Sequence, residues 1–424
     1  MNLSLLLDHG PTDTGQWVVR ALLRIEGVAP PATRAPINIA LVLDRSGSMS
    51  GAKLDAACAA ALHVAQRLSP DDVIGIVAYD DDVITIAPAE RVKDHTGLHD
   101  HIRGIDIGGM TNLSGGWLRG RELLAPRKEQ HAVNRILLLT DGHANVGIKD
   151  PVQLAAICAQ ARERGITTTT IGFGTDYDED LLRTMADAGG GYSWYIESPD
   201  QAPAVFAQEI DGLLGTCAQN LAVTIEPGTN ARLIAVHHSY PSMQQGNTLR
   251  LDIGDLYAAE PRNLLVEFVL DTLPQEPTPI GTLRTTAAVF NTDGSLEART
   301  IDMPIVVSAA DGPVTNAEVR RELLLLEAAR VREQALEDGR RGDADAARGK
   351  LMAISHKLRS ASATDADIVR EADDLDTIAS NLSLDTMNPA DLKYLHQRAK
   401  DARRGRKQAS EVIARPRKEK PPET

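Results

Sequence analysis

Aromatic residues and cysteines are scarce in this chain, and each shortage narrows what the protein can be. Only 3% of the 424 residues are aromatic, so the core must be built mainly from aliphatic side chains. The three cysteines, Cys58, Cys158 and Cys217, are scattered, odd in number and form no CxxC pair. They argue against a disulfide framework and suit a reducing compartment.

Long hydrophobic runs and a basic surplus are also missing. No window has the length of a membrane span, and the first residues, MNLSLLLDHG, lack the basic flank and apolar length of a signal peptide. We therefore expect a cytoplasmic protein. The formal net charge is −14, with −16 in residues 1–314 and +2 in residues 315–424. Because phosphate backbones require a basic footprint, no nucleic-acid partner is expected.

The common catalytic and nucleotide motifs are absent. Neither GxSxG nor HExxH occurs, and no GxGxxG is present. Gly47 and Gly51 are followed by Ala52-Lys53-Leu54, which departs from the GxxxxGK[ST] phosphate loop in spacing and lacks its hydroxyl. The sequence therefore predicts a protein that is not an enzyme and binds no nucleotide.

Apolar strand patterns alternate with helical patterns over residues 36–215. The strands are INIALVLD, VIGIVAYD, a short one over residues 83–86, RILLLTDG, ITTTTIGFG and GYSWYI. Near-continuous apolar strands separated by helices are typical of a mostly parallel sheet covered on both faces. We predict a Rossmann-like, doubly wound α/β domain, whose ligands would bind at the carboxyl ends of its strands.

The flanking regions predict two further folds. Short strands separated by turns over residues 219–310 indicate an antiparallel β-sandwich, and residues 1–35 are expected to add an N-terminal strand or strands to it. The α/β domain would then be inserted into the β domain. Residues 315–412 predict a C-terminal helical bundle, with helix starts near Asp343, Asp365 and Asn388 and a stop at Gly339. The polar, proline-rich residues 413–424 are predicted to be disordered.

Hydroxyl and carboxyl side chains follow the first and fourth of the predicted α/β strands. Asp44, Ser46 and Ser48 alternate after the first, and Asp141 ends the fourth in LLLTDG. Thr111 lies in a glycine-rich loop, GGMTNLSGG, before a predicted helix. Since the ends of adjacent parallel strands meet at one edge, these oxygens could surround a hard cation such as Mg²⁺. Turn and helix-cap roles are the alternative for each residue taken alone.

The five residues together resemble the metal-ion-dependent adhesion site of von Willebrand factor A domains, and residues 36–215 are similar to that family in its bacterial cytoplasmic form. The resemblance implies that Ser46, Ser48 and Thr111 offer hydroxyls, while Asp44 and Asp141 bind the metal directly or through water. Mg²⁺ is expected, and an oxygen-only site also admits Mn²⁺ or Ca²⁺. With at most two carboxylates, such a cation favours an added anionic oxygen.

The resemblance implies a protein-interaction module, an adaptor or assembly component, whose metal binds an Asp or Glu of a partner protein. What bacterial relatives do suggests an AAA+ ATPase or a kinase as that partner. Two alternatives stay open: a metal-dependent hydrolase acting on phosphoesters, for which only His143 stands near Asp141, and a scaffold whose metal only stabilises it.

Other polar clusters have simpler interpretations. The histidines of DHTGLHDHI, His95, His99 and His101, are interpreted as a solvated helix face rather than a metal site. The acidic pair at residues 71–72 and the acidic triplet at residues 80–82 are interpreted as solvated loops.

Overall fold

The structure is a computed structural model, and it describes residues 1–28, 34–92, 95–127, 132–258, 260–291, 293–362, 364–381 and 389–404. Two N-terminal strands come first, β1 (Asn2–Pro11) and β2 (Trp17–Glu26), and they pair in antiparallel register. Within these ranges no helix is both long and apolar enough to cross a membrane.

A six-stranded sheet with helices follows. Its elements are β3 (Ile37–Asp44), α1 (Ala52–Arg67), β4 (Val73–Tyr79), β5 (Val83–Arg91), α2 (His95–Arg103), α3 (Leu113–Leu124), β6 (Val133–Thr140), α4 (Pro151–Glu163), β7 (Ile166–Phe173), α5 (Glu179–Ala188), β8 (Gly190–Ile196) and α6 (Ala202–Leu214). The strand order is β5-β4-β3-β6-β7-β8, and all neighbours are parallel except β4 and β5. The predicted short third strand is thus longer, running to Arg91, and antiparallel.

Both faces of this sheet are covered, which accounts for the continuous apolar strands. Every residue of β3, β6 and β7 is buried. Successive residues of a strand face opposite sides, and Leu41 packs with α1 and α6 whereas Val42 packs with α3, α4 and α5. The predicted α/β layers are therefore present, and the sheet is mostly parallel, as predicted.

Seven antiparallel strands come next. They are β9 (Thr216–Pro227), β10 (Arg232–Val236), β11 (Ser242–Gln245), β12 (Thr248–Tyr257), β13 (Arg262–Leu270), β14 (Thr278–Phe290) and β15 (Leu296–Val307). Together with β1 and β2 they form two sheets, of order β1-β2-β13-β10 and β11-β12-β9-β14-β15. Strand β2 thus pairs with β13 although the whole α/β segment lies between them in the sequence. One hydrophobic cluster contains side chains of both antiparallel sheets.

The C-terminal helices are α7 (Ala317–Arg340), α8 (Ala344–Ala361), α9 (Ala366–Asn381) and α10 (Pro389–Arg403). Asp343 caps α8 and Asp365 accepts from the first amides of α9, as the sequence predicts. The predicted stop at Gly339 is wrong by a short step, because α7 continues to Arg340 and the left-handed residue is Gly342 (φ 83°). Asn388 and residues 413–424 lie outside the described residues.

Helix α10 contacts the α/β unit through buried polar groups. Lys393 donates to the Tyr177 carbonyl at 3.0 Å, and its Nζ lies 3.4 Å from the centre of the Tyr177 ring. The Tyr192 hydroxyl donates to the buried Asp401 carboxylate. The last described helix therefore joins the chain's C-terminal part to strand β8 and the loop after β7.

Asp72 fixes the segment where the chain enters the α/β unit, at the start of β3. Its buried carboxylate accepts from Arg34, from the Ile37 amide at 2.9 Å and from the Ser69 amide at 2.7 Å. Burial raises the pKa of Asp72, but the hydrogen bonds from Arg34, Ile37 and Ser69 outweigh it and hold the pKa below its ordinary value of 3.8. The solvated loop predicted for Asp72 is wrong, since the side chain organises the chain around it.

Asp72→Asn is expected to destabilise the protein by about 1–3 kcal/mol at neutral pH, because one of the two buried carboxylate oxygens, which accept these hydrogen bonds, is replaced by a donor. A carboxyl whose pKa is lowered by folding stabilises the protein at any pH above its pKa in the unfolded chain. That stabilisation is lost as the pH falls through its pKa in the folded protein. The gap between wild type and variant should thus stay constant down to pH 5 and shrink below pH 3.8. Urea unfolding at several pH values measures it.

The neighbouring Asp71→Asn is the matched control, since the Asp71 side chain is 77% exposed and lies 3.5 Å from Arg91. It should leave the free energy of unfolding almost unchanged at every pH. Equal losses in the two variants would contradict the role given to Asp72.

Candidate metal centre

The candidate residues lie where the strand order reverses. Strand β3 has β4 on one side and β6 on the other, so the chain leaves the centre of the sheet in both directions. Such a switch point opens a crevice at the carboxyl ends of its strands. Asp44 is the last residue of β3 and Asp141 directly follows β6, so both carboxylates lie at this crevice.

Asp44 is fully buried at the floor of the crevice. Its Oδ1 accepts from the Ser46 amide at 2.8 Å, and its Oδ2 accepts from the Thr140 hydroxyl at 2.5 Å. Burial raises the pKa of Asp44, the bonds from Ser46 and Thr140 lower it, and the nearby Asp141 charge raises it again. The net result is a raised pKa, so the fold holds this carboxylate in a place that disfavours its charge.

A chain of oxygens connects the two serines to Asp141. The Ser46 and Ser48 hydroxyls lie 3.2 Å apart, and Ser48 donates to Asp141 Oδ1 at 2.6 Å. Ser46 precedes a single helical turn, Gly47–Met49, which turns the alternate side chains toward the same crevice. The Asx-type bond from Ser46 to Asp44 fixes the start of that turn.

Thr111 is brought to the same place by the loop after β6. Its amide donates to Asn145 Oδ1 at 2.7 Å, and its carbonyl accepts from the Asn145 and Val146 amides. A Cβ added at Gly142 would lie 3.5 Å from Ser48 Oγ and 3.9 Å from Thr111 Oγ1. The structure therefore gathers the side chains of all five predicted site residues around one crevice.

Asp80 holds the glycine-rich loop that carries Thr111. Its carboxylate pairs with Arg45 at 2.9 Å and accepts from the Gly109 amide at 3.0 Å. A Cβ at Gly108 would lie 1.6 Å from Asp80 Oδ2, so only glycine fits there. The sequence interpretation of residues 80–82 as a solvated loop is wrong for Asp80, which is buried.

Lys53 is a charged group of the crevice that the motif pattern does not single out. Its ammonium donates to Asp141 Oδ2 at 2.5 Å and to the Ser48 carbonyl at 3.3 Å. The Asp141 side chain is fully buried, whereas that of Lys53 is 30% exposed. A signal was available in the sequence, because a lysine in the first turn of a helix opposes the helix dipole.

This set of donors fits a hard divalent cation. It offers hydroxyl and carboxylate oxygens, which suit Mg²⁺, Mn²⁺ and Ca²⁺ rather than softer metals. The Ser48 hydroxyl is already directed at Asp141 Oδ1, and the pKa of Asp44 is raised by burial. A bound cation would stabilise the buried negative charge of Asp44. In the described part of the chain no cluster of three or more His, Cys, Asp or Glu offers a competing site.

The remaining candidates show no comparable convergence. The side chain of His95 lies outside the described residues, and His99 and His101 lie on α2. His143 is 70% exposed, and its Nδ1 lies 3.9 Å from Asp178 Oδ2 rather than pairing with Asp141. Burial raises the pKa of the Cys158 thiol to about 12, which suits a small core residue rather than a reactive one.

Fold and crevice together define a class, the α/β proteins that carry polar loops at a switch point of a mostly parallel sheet. A family model for the von Willebrand factor type A domain matches residues 38–208. An uncharacterized protein of Synechocystis is 30% identical over 286 residues, which are 64% of this chain and 67% of that protein. The chain belongs to the von Willebrand factor type A domain family.

Other relatives match smaller shares. The uncharacterized protein YfbK of Escherichia coli is 29% identical over 59% of this chain and 45% of its own length. Inter-alpha-trypsin inhibitor heavy chain H3 of Mesocricetus auratus is 30% identical, and the match covers 50% of this chain and 25% of that protein. The chain thus spans less than half of these two relatives.

Two solved structures match nearly the whole chain. A von Willebrand factor type A protein from Catenulispora acidiphila has a TM-score of 0.72 at 17% identity, covering 94% of this chain and 96% of its own. The ArnB paralog VWA2 from Sulfolobus acidocaldarius has a TM-score of 0.59 at 19% identity, covering 96% and 98%. At these identities the likeness concerns the fold, including the antiparallel sheets and helices that flank the α/β unit.

Proposed function

We propose that this chain is a divalent-metal-dependent protein-interaction module and not an enzyme. Asp44, Ser46, Ser48, Thr111 and Asp141 would hold the metal, and a partner protein would add the carboxylate of an Asp or Glu. The observation that carries the proposal is the convergence of these five side chains at the switch point. Mg²⁺ is the metal we propose, with Mn²⁺ or Ca²⁺ as substitutes.

The charge of the site favours binding over storage. The predicted ligand set contains two carboxylates, and one of them, Asp141, is already paired with Lys53. A divalent cation held by so little negative charge stays partly positive, and it would therefore attract the carboxylate of a partner protein. Mg²⁺ loses its water reluctantly, so water would fill that position until the partner arrives.

The surface beside the crevice suits a protein partner. A cleft of about 610 Å³ lies next to Thr111, between the first turns of α3 and α4, and is lined by Asn112, Leu118 and Ile148 among others. Exposed apolar side chains flank this edge of the sheet: Met110 is 51% exposed and Val152 is 75% exposed. Exposed apolar side chains can mark a protein-interaction site, and methionine is enriched in protein interfaces relative to the rest of the surface.

The rest of the chain would hold and extend this module. We infer that the two antiparallel sheets form the predicted β-sandwich into which the α/β domain is inserted, and that the helices form the predicted bundle. The helical region would offer a second interaction surface for an adaptor or assembly component in the cytoplasm. An AAA+ ATPase or a kinase is the kind of partner we propose.

Partner capture tests this function. The tagged protein is incubated with native lysate in Mg²⁺ and in EDTA, and the capture is repeated with Asp141→Ala. We expect at least one partner that wild type retains in Mg²⁺ and that both EDTA and the variant lose by about tenfold or more. Asp71→Ala is the matched control, because this aspartate is 77% exposed just before β4, at the end of that strand away from the crevice, and should change nothing.

The alternatives predict other outcomes. Identical partners in all samples would contradict the proposal and favour a scaffold whose metal only stabilises it. Turnover of generic phosphoesters in Mg²⁺ that Asp141→Ala abolishes would favour a hydrolase. The exposed His143, without a close pairing to Asp141, gives that reaction no positioned base.

A further inference from the structure

Lys53 occupies a position that is unfavourable for the helix to which it belongs. It is the second residue of α1, which begins at Ala52 after Gly51. The amino-terminal turn of a helix carries a partial positive charge, so a lysine there is unfavourable unless a carboxylate compensates. The carboxylate that pairs with Lys53 is Asp141, which directly follows β6.

The two carboxylate oxygens of Asp141 accept hydrogen bonds from different groups. Oδ2 accepts from Lys53 at 2.5 Å, while Oδ1 accepts from Ser48 at 2.6 Å and faces the serine hydroxyls. A second bond from Lys53 to the Ser48 carbonyl, at 3.3 Å, fixes the ammonium beside the serine loop. Gly174 leaves room on the other side, where an added Cβ would lie 3.9 Å from Lys53 Nζ.

We propose that Lys53 is a specificity-determining residue, an internal cation that weakens metal binding and strengthens binding of an anionic partner. This inference rests on the proposed function and assigns a role within that same site. The lysine neutralises one of the two carboxylates, so Asp44, Asp141 and Lys53 together carry one net negative charge. A divalent cation bound there leaves the site with one net positive charge instead of none.

The two effects of this charge have opposite signs, which makes the role measurable. Without the ammonium, the cation meets one more uncompensated negative charge and binds more tightly. The loaded site is then neutral, and an incoming carboxylate gains less. A residue that only supported the loop would weaken both events when it is removed.

The first measurement is Mg²⁺ affinity by calorimetry on the full chain. Lys53→Met is expected to bind Mg²⁺ about tenfold more tightly than wild type, as expected for a unit charge a few ångströms from a divalent ion in a water-like dielectric. Lys53→Gln should give the same gain, and Lys53→Arg should stay close to wild type. Lys350→Met is the matched control, because it removes one exposed lysine paired with Asp338 on distant helices.

The second measurement uses acetate as the probe with the Mn²⁺-loaded proteins, and follows the relaxation of its methyl protons. Acetate should bind Lys53→Met about tenfold more weakly than wild type, Lys53→Arg or Lys350→Met. Equal or weaker Mg²⁺ binding by Lys53→Met and Lys53→Gln, with wild type still binding Mg²⁺, would overturn this role and leave the proposed function standing. Failure of wild type to bind Mg²⁺ would overturn the proposed function itself.

Discussion

Asp44→Asn should weaken Mg²⁺ binding on the order of a hundredfold while leaving the metal-free protein as stable as wild type or more stable. The loss follows because one of the two carboxylates of the site becomes neutral, and changes around a metal typically cost ten- to a hundredfold in affinity. The stability follows from the raised pKa of Asp44, since the metal-free fold disfavours the charge that the substitution removes.

Asparagine keeps the shape and one acceptor of this side chain. Its oxygen can accept from the Ser46 amide, which lies 2.8 Å from Asp44 Oδ1, and the Thr140 hydroxyl can rotate to accept from the new amide. The fold around the site therefore has no reason to break. This separates Asp44 from Asp72, whose carboxylate pairs with an arginine and stabilises the fold.

Thermal unfolding with and without Mg²⁺ measures both effects. A ligand at a hundred times its dissociation constant stabilises the folded state by about 2.7 kcal/mol, so wild type should show a clear rise in unfolding temperature. Asp44→Asn should unfold in EDTA at or above the wild-type temperature and gain little from Mg²⁺. The exposed Asp71→Asn should behave as wild type in both conditions. A variant that is destabilised in EDTA would show that Asp44 is a structural residue instead.

Arg135→Ala is the substitution with the largest expected cost in stability, about 3–5 kcal/mol. Arg135 lies in β6 with no exposed side-chain surface and donates to Asp255 Oδ2 of β12 at 2.7 Å. Glu209 of α6 lies 4.0 Å away and keeps bonds from Thr169 and Trp194. Removal of the arginine would leave the buried Asp255 carboxylate without its charge partner.

This ion pair joins the α/β unit to the antiparallel sheets, so its loss should also loosen their contact. The double variant Arg135→Met with Asp255→Leu should recover most of the lost free energy, because a buried pair can be replaced by apolar side chains of similar size. Urea unfolding of the single and double variants measures this. Arg119→Ala, in an exposed pair with Glu122, should cost at most about 1 kcal/mol. A double variant no better than the single one would contradict this role of the pair.

The α/β unit could be predicted from sequence because its strands are buried on both faces. A run such as INIALVLD is typical of a strand covered on both sides, and the polar residues after it then fall at the edge of the sheet. The sequence also predicts that the N-terminal strands join the later antiparallel strands, and β2 does pair with β13, although which strand it would pair with was not predicted. Strand β11 is four residues long and fully exposed, so it has no apolar pattern from which the sequence could predict it.

The roles of Asp72, Asp80 and Lys53 could not be predicted in the same way. Each depends on a contact with a residue at least 29 positions away, and acidic loop residues are solvated in most proteins. Local sequence gives the residue type but not the partner that compensates its charge. The polar contacts of α10 with Tyr177 and Tyr192 belong to the same group.

The position of the bound metal tests the proposed metal site most directly. Crystals of the full chain soaked in Mn²⁺ would be measured for anomalous scattering at the manganese edge. One strong peak per chain is expected at the crevice between the ends of β3 and β6, in contact with the Ser46 and Ser48 hydroxyls. A peak elsewhere, for example beside helix α2, with none at this crevice would contradict the proposed site.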